Sequence, residues 1–243
     1  MEAVKRAVVT GGTRGIGKVI TERLIAAGYF VDFTFVQSYE HAEELERRYA
    51  GKCRGAKVDS RHPEEVRKYI ENISSAEPIT VLVNNAGITF NALAKEGTWE
   101  DFQDTLNINL GGSFHFCKEL IPQMNRARNG DIIMISSLAS DNVRVGNAYY
   151  GTSKAAVNRF TETLAIELAR MNIACNIISP GFVETDLVKE LLTDEKRREL
   201  LKEIPLRRFT LPEEVADAVM FLLGRKPLLI GANIPLGGGG HLR

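Results

Sequence analysis

The sequence predicts a single α/β domain with a doubly wound parallel sheet and helices on both faces, a Rossmann-like arrangement spanning residues 1–243. Three observations lead there. Short apolar runs alternate with helix-length amphipathic segments, the first run ends in a glycine-rich turn that opens a helix, and no repeat or linker-like shift in composition divides the chain. Parallel strands need crossovers of helical length, and burial on both faces makes each strand a near-continuous apolar run.

The elements follow in order. "RAVVTGG" is a short buried strand ending in a turn, and "GIGKVITERLIAAG" repeats apolar residues at helical spacing through Ile16, Ile20, Leu24 and Ile25 before stopping at Gly28. "YFVDFTF" is the second strand, "SYEHAEELERRYA" a polar helix, "GAKVDS" the third strand, "PEEVRKYIENI" a helix and "ITVLVNNAG" the fourth strand. Further on come the strand "GDIIMISS", a helix through "AYYGTSKAAVNRFTETLAIELA", the strand "IACNIISPG" and a short strand near "LLIGANIPL". Charged helical stretches around 184–212 interrupt the alternation where a substrate lid is expected; the plain alternative is a solvated helical excursion over the sheet.

Composition narrows the function classes. With 44% hydrophobic and 26% charged residues the chain has the makeup of a folded globular protein, and 31 basic residues against 31 acidic ones give no overall pull toward nucleic acid or an anionic membrane. Cys53, Cys117 and Cys175 fit neither a disulfide framework nor a zinc signature, so reduced structural thiols are expected. His41, His62, His115 and His241 are scattered without ligand spacing, and no metal site is expected. The first apolar run is too short for a signal-peptide core or a membrane span, so a cytoplasmic location is expected.

The turn "TGGTRGIG" spaces Gly11, Gly15 and Gly17 as GxxxGxG. Glycine lets the backbone approach a ligand closely, and the helix that follows presents free N–H groups and a positive dipole end, which suits a pyrophosphate. An acid at the end of the second strand binds the adenosine ribose of NAD, but "TFVQ" (34–37) has none: Phe35 occupies the position, and Asp32 lies too early. Arg14, within the glycine turn, supplies a guanidinium for a 2′-phosphate. NADP(H) is therefore the expected cofactor.

A tyrosine phenol ordinarily ionises near pH ~10 and needs a neighbouring cation to exchange protons readily at neutral pH. Tyr150 has Lys154 four residues on, on the same helical face, whereas Tyr149 has Ser153 there and is read as a packing residue. Ser136 and Ser137 end a buried strand, Asn84 to Gly87 ("NNAG") end another, and "NINLGGS" supplies Asn109 from a helix. Strand ends of a parallel sheet face the ligand crevice.

The motifs "TGGTRGIG" (10–17), Asp59 in "KVDS", "NNAG" (84–87), Asn109, Ser137, "YGTSK" (150–154) and "PGFVETD" (180–186) make the chain resemble the short-chain dehydrogenase/reductase family over nearly its whole length. Within it, "NNAGIT", "PGFVETD" and "IPLRRFTLPEEVADAVMFLL" are most similar to the 3-oxoacyl-(acyl-carrier-protein) reductases. The resemblance implies reduction of a 3-oxoacyl thioester, carried by acyl carrier protein or coenzyme A, in fatty-acid or polyketide-type synthesis. Tyr150 would donate the proton. Lys154 would depress the Tyr150 pKa and bind the nicotinamide ribose, Ser137 would bind the substrate oxygen, and Asn109 would help hold a proton-relaying water chain. The cofactor would lie along Gly11, Thr13, Arg14, Gly15, Ile16 and Gly17, with Asp59 at its adenine end. Asn85, Ala86 and Gly87 would line it, and Pro180, Gly181, Val183 and Thr185 would close over the carboxamide.

Some positions depart from that pattern. Phe90 and Asn91 replace the Arg-Asp that often follows "NNAGIT"; Phe90 and Phe182 are read either as apolar lips for an acyl group or as ordinary packing. An acidic carrier protein requires cations near the entrance; Arg126 and Arg128 fit one basic position, while Met171 occupies the other, beside Arg170. The resemblance implies a homotetramer or homodimer. A free ketone, sugar or steroid alcohol is the alternative substrate. A non-catalytic NADP sensor or scaffold is the third reading, against which the full Asn109, Ser137, Tyr150 and Lys154 set argues, since sensing requires no proton donor.

Overall fold

A computed structural model describes residues 4–74, 77–185, 188, 192–224 and 229–242. Among them, seven strands form one wholly parallel sheet in the order β3-β2-β1-β4-β5-β6-β7. The strands are β1 (Lys5–Val9), β2 (Tyr29–Phe35), β3 (Cys53–Lys57), β4 (Ile79–Asn84), β5 (Gly130–Ile135), β6 (Ile173–Pro180) and β7 (Asn233–Leu236). Every residue of β6 is buried, as continuous apolar strands between two helical layers should be. The helices are α1 (Gly15–Ala26), α2 (Tyr39–Arg48), α3 (Pro63–Ile73), α4 (Trp99–Leu106), α5 (Gly112–Ala127), α6 (Ala148–Leu168), α7 (Asp194–Glu203) and α8 (Pro212–Leu223).

Each sheet face has its own core. Ile20 and Leu24 of α1, Leu45 of α2 and Val215 and Val219 of α8 pack with Val9, Val31 and Phe33 on one side. Val66 and Ile70 of α3, Phe116 and Leu120 of α5 and Val157 and Leu164 of α6 pack with Val8, Leu82 and Ile132 on the other. A third, small cluster of Leu200, Ile204 and Phe209, with Phe182 against it, lies in the segment expected as a lid. That segment joins the body through a parallel bridge between Val183 and Thr210. Asp186 of "PGFVETD" and most of 187–191 lie outside the described residues.

Helix α4 has no counterpart in the sequence reading, although its capping box, Thr98 with Asp101, is a recognisable start signal. Between α4 and α5 the chain makes one π-helical turn, Asn107–Gly111. Among the described residues no helix is long and apolar enough to cross a membrane.

Asp32 lies inside β2, fully buried, between Arg6 (2.6 Å) and Arg54 (2.7 Å). Its carboxylate serves the sheet and is removed from any ribose. Removing one partner of a buried ion pair leaves the rest uncompensated, so Asp32→Asn is expected to lower unfolding stability by about 3 kcal/mol in a urea titration.

Candidate active site

The sheet order reverses at β1, with β2 on one side and β4 on the other, so the connections leaving the carboxyl ends of β1 and β4 diverge and open a crevice. A single hydroxyl ties the two sides together. Thr10 Oγ1 accepts the backbone N–H groups of Asn85 and Ala86, both at 2.9 Å, while Asn85 Nδ2 donates to the carbonyls of Thr10 (2.9 Å) and Gly11 (3.1 Å). The glycine turn is thus held by "NNAG", and Thr10 is a residue the sequence reading passed over. At Gly17 a Cβ would lie 2.1 Å from the Gly11 carbonyl oxygen, so only glycine closes this turn. At Gly15, with φ +52, a Cβ would lie 3.3 Å from Thr185 Cγ2, which shows the segment after β6 folding back over the turn.

A cavity of about 130 Å³ opens beside this turn, lined by Ile16, Asn85, Gly87, Ser136, Ser137, Tyr150, Lys154, Pro180, Gly181 and Val183 from the sequence reading, and also by Ile88, Thr89 and Ile135. Ala86 adjoins Gly11 at its edge. Thr13 is buried within the turn, and Arg14 is exposed as the N-cap of α1, with no side-chain bond across the helix start. Asp59 lies outside the cavity at the end of β3, where its carboxylate is held by Arg61 at 2.7 Å and stays below the usual carboxylate range.

Asn109, in the π-helical turn, lies behind the cavity wall. Its Oδ1 accepts the Ile88 N–H (2.8 Å), and its Nδ2 donates to the Ile88 carbonyl (3.0 Å) and to Ser153 Oγ (2.9 Å). Both of its N–H bonds are therefore spent inside the protein. The carboxamide joins the β4 loop to α6.

Lys154 is buried, and its Nζ donates to the Ile135 carbonyl at 2.9 Å and lies 5.8 Å from the Tyr150 ring centre. Desolvation pulls the ammonium down to about 8. The Tyr150 phenol is pushed up by burial, and what opposes that rise is hydrogen bonding to Ser137 and Thr89. Ser137 Oγ accepts the Ala139 N–H at 3.1 Å, which leaves its own hydrogen free for another acceptor.

Phe90 packs edge-on to Tyr149, with ring centres 5.3 Å apart, and Phe182 lies against Phe209 at 5.5 Å with the Arg144 guanidinium 5.1 Å above it. Both phenylalanines belong to packed aromatic groups. Tyr149 is buried, in keeping with a packing role, and its hydroxyl donates to the Ala94 carbonyl at 3.2 Å.

Arg126 and Arg128 do not stand at the entrance. They close α5 just before β5 begins, whereas the cavity takes Ile135 and Ser137 from the far end of that strand. At about 3.3 Å per residue, roughly 20 Å of strand separates them within one chain. Arg128 adopts a left-handed conformation there and donates to the Arg170 carbonyl.

A buried lysine without a carboxylate partner weakens the fold. Because its pKa falls from 10.5 unfolded to about 8 folded, the unfolded chain binds the extra proton between those values, and stability rises with pH across that window. Lys154→Met is therefore expected to unfold at higher temperature than the parent at neutral pH, by about 5 °C or more, with the advantage shrinking as pH is raised from 8 to 10.5. Calorimetry across that range checks it.

The chain matches the short chain dehydrogenase family model over residues 5–196. It is similar to the 3-oxoacyl-[acyl-carrier-protein] reductase FabG of Aquifex aeolicus, 38% identical over 222 residues, which covers 90% of this chain and 89% of the relative. It is also similar to FabG of Staphylococcus aureus (strain Mu50), 36% identical over 250 residues, covering 100% of both. Among solved structures, a putative gluconate dehydrogenase from Agrobacterium tumefaciens superposes with a TM-score of 0.91 at 26% identity, covering 98% of this chain and 96% of that one. A short chain dehydrogenase/reductase family protein superposes with a TM-score of 0.90 at 30% identity over the whole of both chains. With the family match running from β1 into α7 and these relatives aligning nearly end to end, the chain belongs to the short chain dehydrogenase family.

Proposed function

We propose that this protein is an NADPH-dependent reductase of 3-oxoacyl thioesters in fatty-acid or polyketide-type synthesis. The observation that carries the reading is the convergence of Ser137, Tyr150 and Lys154 in one cavity beside the glycine turn, in a chain similar throughout to two reductases named for 3-oxoacyl carrier-protein substrates. The residues fit the cofactor. Gly17 lets the turn close tightly against the Gly11 carbonyl, and the N-terminus of α1 has no side-chain cap to compete for its N–H groups. Gly11 to Gly17 would hold the pyrophosphate, Arg14 the 2′-phosphate, and Asn85 to Gly87 with Pro180, Gly181, Val183 and Thr185 the nicotinamide half. The end of β2, Phe35 followed by Val36 and Gln37, carries no acid to repel a phosphate, and the Lys57 ammonium lies over Tyr39 beside it.

NADPH, when bound, supplies the hydride. Tyr150 gives its Oη proton to the substrate oxygen as charge develops there, and Ser137 donates its free hydroxyl hydrogen to the same oxygen. Lys154 would hold a ribose hydroxyl of the cofactor, and its ammonium favours the phenolate left behind. The lid segment, with α7 and its own small core, excludes water from the thioester. Carrier recognition through Arg126 and Arg128 would need a second chain of a homodimer or homotetramer, since within one chain they lie at the other end of β5. The buried, unpaired thiols of Cys53, Cys117 and Cys175 suit a reducing cytoplasm.

The place of Arg126 and Arg128 favours one alternative, reduction of a free ketone, sugar or steroid alcohol without carrier recognition. Rates with acetoacetyl groups on carrier protein and on coenzyme A, against a simple cyclic ketone, separate the two; turnover of the free ketone alone would discard the thioester reading. Tyr150→Phe is expected to lose about 100-fold or more in kcat with NADPH affinity kept, because only the proton donor is removed. Arg14→Ala is expected to weaken NADPH binding by about tenfold or more, measured by nicotinamide fluorescence, and to leave NADH nearly unchanged. Equal losses for both cofactors would overturn the 2′-phosphate assignment.

A further inference from the structure

We infer that Gly237 is a positioning residue for Ser137: with Gly181 it forms a seat for Leu138, the residue after the serine, and so fixes where the serine hydroxyl stands in the cavity wall. The inference deepens the proposed carbonyl reduction and rests on it for the role of Ser137.

The serine hydroxyl belongs to a small rigid unit. Ser137 opens one short helical turn, Leu138–Ser140, directly after β5. Its Oγ accepts the Ala139 N–H at 3.1 Å, and its carbonyl accepts the Ser140 N–H (3.1 Å) and the Ser140 hydroxyl (2.7 Å). The hydroxyl therefore moves with the turn. Leu138 is buried and presses the turn onto the body of the protein.

Leu138 meets two bare backbones there. A Cβ at Gly237 would overlap Leu138 Cδ1, and one at Gly181 would lie 3.3 Å from the same methyl group and 3.2 Å from Gly237 Cα. Gly237 lacks the positive φ of the two residues after it, Gly238 (φ +56) and Gly239 (φ +86), so its missing side chain answers to space and not to backbone conformation.

The seat cannot give way. On one side the Leu236 carbonyl accepts the Gly181 N–H and the Thr210 hydroxyl, both at 2.8 Å; on the other the Gly238 carbonyl accepts the Leu206 N–H at 3.1 Å. Asn142 Nδ2, just beyond the serine turn, donates to the Gly240 carbonyl at 3.2 Å. With the chain tied on both sides of Gly237, an added side chain displaces Leu138, and the turn carries Ser137 with it. Gly181 and Ser137 both line the cavity, so the displacement falls where the substrate oxygen is held.

Gly237→Ala puts one methyl group into the seat, and Gly240→Ala, where a Cβ meets nothing within 4 Å, is its control. Gly237→Ala is expected to lower kcat about tenfold with NADPH affinity little changed, and Gly240→Ala to leave both as they are. Adding Leu138→Ala removes the overlapping methyl group, so the double variant is expected to regain much of the lost kcat. Because the loss passes through one hydroxyl, Gly237→Ala should cost little further in a Ser137→Ala background; a merely structural effect would cost the same in both backgrounds. A crystal structure of cofactor-free Gly237→Ala is expected to show the Ser137 hydroxyl shifted. Leu138→Ala alone, which empties the seat, carries the same kinetic and crystallographic readings should the added methyl group prevent folding. An unmoved hydroxyl, equal losses in the two backgrounds, or a loss that Leu138→Ala does not relieve would overturn the inference. The crystal structure needs no substrate, so a parent protein inactive on thioesters would sink the proposed function while the seat is still decided by the position of Ser137.

Discussion

Parallel strands cannot be joined by tight turns, and this constraint organises the molecule. Each connection leaves the carboxyl end of a strand and returns over a face of the sheet, so the loops after all seven strands collect at one edge. The reversal of order at β1 then separates two of them, and the glycine turn and the "NNAG" segment come to face each other. The backbone groups exposed by that separation need partners, and Thr10 and Asn85 supply them from side chains. The crevice is a product of topology, while its width is set by four hydrogen bonds.

The same logic acts at Asn109. A π-helical turn lengthens one register of the helix pair α4–α5 and turns a carboxamide toward the cavity wall, where it satisfies groups on two elements that are not otherwise bonded there. Lys154 meets the opposite situation. It is buried with a single neutral acceptor in place of a counter-ion, so its proton is held weakly. The site combines one polar group fully engaged inside the protein with another left only partly satisfied, and the second has capacity to spare for a ligand hydroxyl.

Much of this was legible in the sequence because the signals were local. The alternation of apolar runs and helices foretells the parallel sheet, and the Tyr150–Lys154 spacing on α6 foretells two residues of one wall. What stayed hidden depends on contacts between segments far apart in the chain. Thr10 and Ser153 are ordinary hydroxyl residues whose importance comes from partners 75 and 44 residues away, respectively. Arg126 and Arg128 show the same limit: within one chain they lie at the end of β5 away from the cavity, because α5 runs antiparallel to the sheet. The sequence reading also gave no sign that Arg61, two residues on, holds the Asp59 carboxylate.

The small core of Leu200, Ile204 and Phe209 has a consequence of its own. It packs with Phe182 and Leu201, apart from both cores that hold the sheet together. A segment stabilised in this way can detach and reseat as one cooperative unit, without loosening the walls that carry the reacting groups. On the proposed reading of this segment as a lid, its composition is free to drift toward new substrates while the body stays fixed, and what enters would be decided by a part energetically separable from the reacting groups.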